Sequence, residues 1–268
     1  MRNLVTSLLQ RKSQTSRLLA ISLLALGLLT SLKCAQAGTA QNAPAELKNL
    51  LAQVDTAANR ADVKGVIQLY SPNFTHGDGL TRQNMEKALT GLWQRYPKLK
   101  YTTQLQSWKP EGNGIVAETV TNITGSPSPT SGNLALKATI KSRQRIVGGK
   151  IVRQDILSER TLLTSGAKPP QIDLKLPEQV KVNQQYNLDA VVQEPLGDDY
   201  LLGAALEEPI KPDKYLTPTT VDLELLSSGG IFKIGRAPSV PGSQWISAVV
   251  MRGEGTTMIT QRLQVVKK

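Results

Sequence analysis

From residue 44 onward, apolar positions recur at intervals of three and four. Leu47, Leu50, Leu51, Val54, Ala57 and Ala58 share one face of a helix that opens at Pro44 and runs to about Asn59. Asp62 is placed to cap a second helix over 63–70, with Val66, Ile67 and Tyr70 on one side, and Ser71-Pro72-Asn73 breaks it. After the Gly77-Asp78-Gly79 turn, Thr81 caps a third helix with the stripe Met85, Ala88, Leu89, Leu92 and Trp93, ended by Pro97. The period then changes to two. Residues 98–108 put Leu99, Tyr101, Thr103 and Leu105 on one face, and 114–123 form a mostly apolar run. Residues 133–146 alternate Leu134, Leu136, Ala138 and Ile140 against Lys137, Thr139 and Lys141, and Gly148-Gly149 turns the chain into a last strand over 151–163. Three helices followed by a long antiparallel meander predict an α+β unit over 45–166, a curved sheet wrapped around its helices.

Beyond it, Ser165-Gly166-Ala167-Lys168-Pro169-Pro170 has no apolar period, and its paired prolines mark 167–170 as a linker. The span 171–268 shows no helical pattern. Short β-rich pieces at 172–176, 186–193, 200–206, 219–225, 231–234, 243–251 and 256–266 alternate with Pro, Gly and Asp clusters. Such spacing predicts an all-β sandwich of immunoglobulin-like type, here without a cysteine pair. The acidic stretch from 198 to 213 reads either as a contact loop or as a solvated connection.

The N-terminus changes the charge picture. Arg2, Arg11, Lys12 and Arg17 precede the apolar run LLAISLLALGLLTSL, and Ala35-Gln36-Ala37 follows it. That is the form of a secretory signal cut after Ala37, and the run is shorter than the roughly 20 residues that cross a bilayer. The expectation is an exported protein, periplasmic or extracellular, with 1–37 removed, a flexible lead-in at 38–44 and no stable membrane anchor. An uncleaved N-terminal anchor is the alternative. Cleavage lowers the formal charge from +11 to +6, because Arg2, Arg11, Lys12, Arg17 and Lys33 leave with the signal. The remaining cations are dispersed, and their densest run, Lys141-Ser142-Arg143-Gln144-Arg145, has no interleaved aromatic residue, which argues against nucleic acid as a partner. Cleavage also removes Cys34, the one cysteine, and with it thiol chemistry. The one histidine, His76, cannot build an imidazole-rich centre, so neither a metal nor a cofactor is expected.

The segment Ala61-Asp62-Val63-Lys64-Gly65-Val66-Ile67-Gln68-Leu69-Tyr70, then Ser71-Pro72-Asn73-Phe74, the Asp78-Gly79 turn and Gly149-Lys150-Ile151-Val152 carry a likeness. Through them residues 45–166 resemble the nuclear-transport-factor-2-like (NTF2-like, or SnoaL-like) superfamily, which includes ketosteroid isomerase. The resemblance implies a cone: a bent sheet with helices across it, enclosing a pocket that members use for catalysis, binding or dimer support. It also implies a homodimer paired through the open sheet face. Aligned by eye, Asp78 falls where the isomerases keep their general-base aspartate, while Val54, which has no donor to offer, falls where they keep an oxyanion-stabilising tyrosine. An aspartate between two glycines also reads as a turn residue. His76 is placed to pair with Asp78, or to lie exposed in a Gly-rich loop. Tyr70, Trp93, Tyr96 and Tyr101 are the aromatic residues placed to line a cone or to fill a core. Asp155 and Glu159, four apart on a strand, belong to one face.

Two function classes remain. One is an exported, non-catalytic two-domain protein that binds a small apolar ligand or a protein partner through the cone. The other is an isomerase, cyclase or dehydratase using Asp78 as acid or base, assisted by His76 or Tyr70.

Overall fold

The computed structural model describes residues 38–267 apart from 198, 218 and 254. The signal-peptide expectation for 1–37 and the Asp198 end of the acidic stretch lie outside the described residues. Three helices come first: α1 (Ala45–Asn59), α2 (Val63–Gln68) and, after strand β1 (Tyr70–His76), α3 (Arg82–Arg95). Their starts follow the sequence signals. Pro44 sits at the N-cap of α1, Asp62 Oδ1 accepts from Gly65 N–H at 2.9 Å, and Thr81 Oγ1 accepts from Asn84 N–H at 3.1 Å.

The meander follows as β2 (Leu99–Glu111), β3 (Gly114–Gly125), β4 (Ala135–Val147) and β5 (Lys150–Ser165), each antiparallel to the next. Bulges near Ser107 in β2 and at Leu157 in β5 bend the sheet. Helices α1 and α3 lie against it, with Leu47, Leu50 and Leu51 buried. This α+β arrangement of three helices and an antiparallel sheet is consistent with the NTF2-like expectation. The lead-in is tied to β2: Gly38 N–H donates to the Trp108 carbonyl at 2.7 Å, and Trp108 Nε1–H to the Thr39 carbonyl at 3.2 Å.

Strand β1 departs from the sequence reading, which ends a helix at residue 70 and breaks the chain at Pro72. Tyr70–His76 instead runs parallel to β5, with Tyr70 opposite Ile151 and His76 opposite Gln154. Pro72 cannot donate to a ladder, and the pairing skips from Tyr70 to Thr75 around it.

The remaining chain supplies β6 (Ile172–Lys175), β7 (Gln179–Lys181), β8 (Gln185–Val192), β9 (Leu201–Pro209), β10 (Glu224–Leu225), β11 (Gly230–Arg236), β12 (Gly242–Arg252) and β13 (Gly255–Val266). Strands β11, β8 and β6 form a three-stranded sheet. The others join the meander in one sheet of order β10-β9-β12-β13-β5-β4-β3-β2, and β7 pairs parallel to β13. A second core, including Leu188, Ala190, Ile246, Ala248, Val250 and Leu263, lies between the layers.

The junction is made on a single edge of β5. The first part of that edge takes β1, at Ile151–Gln154, and the last part takes β13, with Arg160–Ser165 paired to Thr256–Gln261. Between them lies the stretch 155–159, and the chemistry collects there. Among the described residues, no helix is long and apolar enough to cross a membrane.

Candidate functional site

The apolar stripes of the helices face a hollow. Leu51, Val54 and Ala58 of α1, and Met85, Ala88, Leu89, Leu92 and Trp93 of α3, line a cavity of about 580 Å³ bounded on the other side by β2, β3, β4 and β5. In β4 the alternation noted in the sequence puts Leu136, Ala138 and Ile140 on the cavity wall, with Lys137 outward. Tyr70, Trp93, Tyr96 and Tyr101 all line it. Trp93 Nε1–H donates to Tyr101 Oη at 2.9 Å, with the rings edge to face. Burial pushes the Tyr70 and Tyr101 phenols up to about 12, so both stay protonated donors at neutral pH.

Next to Glu159 of β5, the wall is completed by residues that sequence reasoning did not single out: Lys214, Tyr215 and Trp245. Behind them sits a buried ionic cluster. Arg262, 2% exposed, donates from Nη1 to Asp78 Oδ1 at 2.9 Å and from Nη2 to Asp78 Oδ2 at 2.9 Å. Its Nη2 also reaches Glu159 Oε2 at 3.1 Å, which Trp245 Nε1–H shares at 3.1 Å. Tyr215 Oη–H donates to Asp78 Oδ2 at 2.6 Å. Two carboxylates thus share one guanidinium, an arrangement in which removing the cation strands buried charge.

Asp78 is therefore neither a plain turn residue nor a free base. Its backbone does turn: Gly79 N–H donates to the His76 carbonyl at 2.9 Å, and Gly79 has φ +80°, strained for any other residue. Its side chain is not among those lining the cavity, and both oxygens are engaged. Burial alone would raise its pKa, but the Arg262 hydrogen bonds and charge, with the Tyr215 hydroxyl, outweigh burial and hold it below the ordinary carboxylate range. Tyr215 is pushed the other way, by burial and by the charges of Glu159 and Asp78. Arg262 too is raised, because Asp78 and Glu159 outweigh the cost of burying it.

His76 is not the exposed loop histidine that its glycine neighbours suggest; its side chain is 5% exposed and on the cavity wall. The Asp78 N–H donates to its Nδ1 at 3.1 Å, and the Asp78 carboxylate lies 3.7 Å from the same atom. Burial lowers its pKa against the pull of Asp78, so the ring is neutral and carries its proton on Nε2.

Asp155 and Glu159 do not share a face. The extra residue at Leu157, where Lys141 pairs with Ser158 but Ser142 with Ile156, shifts the alternation by one. Gln154 and Ile156 face the cavity before the bulge, and Glu159, Thr161 and Leu163 after it. Asp155 is left outside, paired with Arg153 at 2.6 Å. Among the described residues, no group of three His, Cys, Asp or Glu side chains is disposed to hold a metal.

A family described as a domain of unknown function (DUF8623) matches residues 167–266. No curated protein matches the chain. Among solved structures, a Bdellovibrio bacteriovorus protein, Bd1075, is 15% identical with a TM-score of 0.32, over 41% of this chain and 38% of its own, so this chain spans well under half of that protein. A Mycobacterium tuberculosis protein of unknown function is 12% identical with a TM-score of 0.34, over 41% of this chain and 72% of its own. An LEH-like epoxide hydrolase from M. tuberculosis is 11% identical with a TM-score of 0.31, over 41% and 80%. The α+β architecture stands on its own strand order.

Proposed function

We propose that this is an exported, non-catalytic two-domain protein that holds a small apolar molecule in an NTF2-like cone, residues 45–166. A linker at 167–170 then leads into an immunoglobulin-like module over 171–268. That reading of the module is supported by its pairing: β8 between β6 and β11 in one layer, β9, β12 and β13 in the other, and β7 crossing to the edge of β13. Export and loss of the anchor are carried by the signal pattern of the first 37 residues. Pairing of two copies through the outer sheet face is carried by the resemblance.

One observation supports a container over a reactor: the aspartate that the resemblance would make a base has both oxygens held by Arg262 and Tyr215. A carboxylate so held is a weak proton acceptor, and Val54 leaves a developing enolate without its donor. The apolar walls suit retention of a hydrocarbon skeleton. Native mass spectrometry of protein purified from its own compartment is expected to show an adduct that denaturation releases, and Asp78→Asn to retain it. A molecule chemically altered by the wild type and left intact by Asp78→Asn would overturn the reading.

A second reading, an isomerase, cyclase or dehydratase, is favoured by the buried His76 on the cavity wall, whose Nδ1 accepts from the Asp78 N–H and leaves its Nε2–H available as an acid. His76→Phe tests it: lost turnover with ligand retention intact would support catalysis.

A further inference from the structure

Within the container reading, on which this inference rests, we propose that the ligand is an uncharged, largely hydrocarbon molecule bearing a hydroxyl. It is held on a polar ledge formed by His76, Gln154 and Gln144. The ledge is a product of strand register. His76 lies opposite Gln154 across β1 and β5, and Gln154 lies opposite Gln144 across β5 and β4. Three adjoining strands therefore present three hydrogen-bonding side chains in a row, and all three belong to the cavity wall.

The internal bonds of the ledge leave it incomplete. Tyr70 Oη–H and Gln144 Nε2–H both donate to Gln154 Oε1, each at 3.2 Å. Gln144, 7% exposed, is left with an Oε1 that has no partner among the described residues. A buried acceptor without a donor is costly, whereas its bond to a suitable donor is favourable. A ligand hydroxyl meets that need; an ether, a hydrocarbon or a carboxylate does not. His76 supplies the complementary half, because its Nδ1 already accepts from the Asp78 N–H and its Nε2–H is the donor that remains. The ledge therefore offers an unpartnered acceptor, Gln144 Oε1, and a donor, His76 Nε2–H.

The charges of the wall favour a neutral ligand. Glu159 is held by Arg262 at 3.1 Å and Lys214 by Glu208 at 3.0 Å, while Asp55, also on the wall, accepts from the Thr103 N–H at 2.7 Å and hydroxyl at 2.6 Å, so the wall offers an anion no uncompensated cation. The ledge itself carries no charged side chain.

The test is displacement of diphenylhexatriene, a hydrocarbon fluorophore without polar atoms, by naphthol, methoxynaphthalene and naphthoate. The wild type is expected to take up the fluorophore and to prefer naphthol over methoxynaphthalene by roughly tenfold, with naphthoate weakest. In Gln144→Leu, uptake of the fluorophore is expected to persist while the preference falls to about twofold or less. Gln144→Met serves the same purpose if the leucine variant does not fold. Equal displacement by naphthol and methoxynaphthalene in the wild type, or a preference untouched in the variant, would overturn the ledge while leaving the container reading intact. A wild type that excludes the fluorophore and all three naphthalenes would overturn both.

Discussion

In the C-terminal half of the chain, Leu188, Ala190, Ile246, Ala248, Val250 and Leu263 are wholly buried between two sheets. In the N-terminal half the equally apolar Met85, Leu89 and Leu92 of α3 are only partly buried and look into a hollow. Composition does not separate the two interiors. Facing sheets interdigitate along their whole area, whereas a sheet bent by bulges stands away from helices laid across it. An apolar stripe on a helix therefore marks a buried face, and whether that face meets atoms or space is decided by the partner.

The contrast can be broken where the two interiors meet. Replacing Arg262 by Met leaves Asp78 and Glu159 without their cation and is expected to cost about 3–5 kcal/mol in urea unfolding, the largest effect here. A loss below 1 kcal/mol would mean that water reaches the cluster. Leu263→Ala, in the filled interior, is expected to cost about 3 kcal/mol, and Leu89→Ala, on the hollow wall, about 1 kcal/mol or less, since it opens little new cavity. Equal losses would show that the hollow closes in solution.

Acid sharpens the same boundary. Asp78 has a folded pKa below its unfolded one, so its contribution is complete above the ordinary carboxylate range and drains as pH falls through the folded value. In Asp78→Asn, stability measured from pH 6 downward is expected to fall less steeply than in the parent. The smallest effect belongs to Arg153→Ala, an exposed pair with Asp155 that is expected to change stability by about 0.5 kcal/mol or less.

Much of this was legible from local chemistry. The caps at Asp62 and Thr81, the β4 alternation and the strand-rich second half follow from side chains acting on their own neighbourhood. Strand β1 was hidden by Pro72, which reads as a breaker unless the strand is known to be irregularly paired. Glu159 was misplaced because a one-residue bulge leaves no mark in polar and apolar spacing. Arg262 and Tyr215 were missed for a different reason. Arg262 alternates correctly with Ile259, Leu263 and Val265, which face the second core, so its own side reads as solvent. That side is covered by Asp78 and Tyr215, which lie 184 and 47 residues away in the chain. Alternation tells which side of a strand a residue takes, and not what lies there.

Strand β5 gives one backbone to two interiors, with β1 and β13 dividing its edge. Bodies joined by a hinge can be exchanged, each keeping its own form. Here, parting them at residue 166 would pull six rungs, Arg160 to Ser165, from the flank of the α+β sheet and take away part of the hollow's wall. The rear module is less a passenger than a masonry course, and any remodelling of it is inherited as a change in the shape of the chamber.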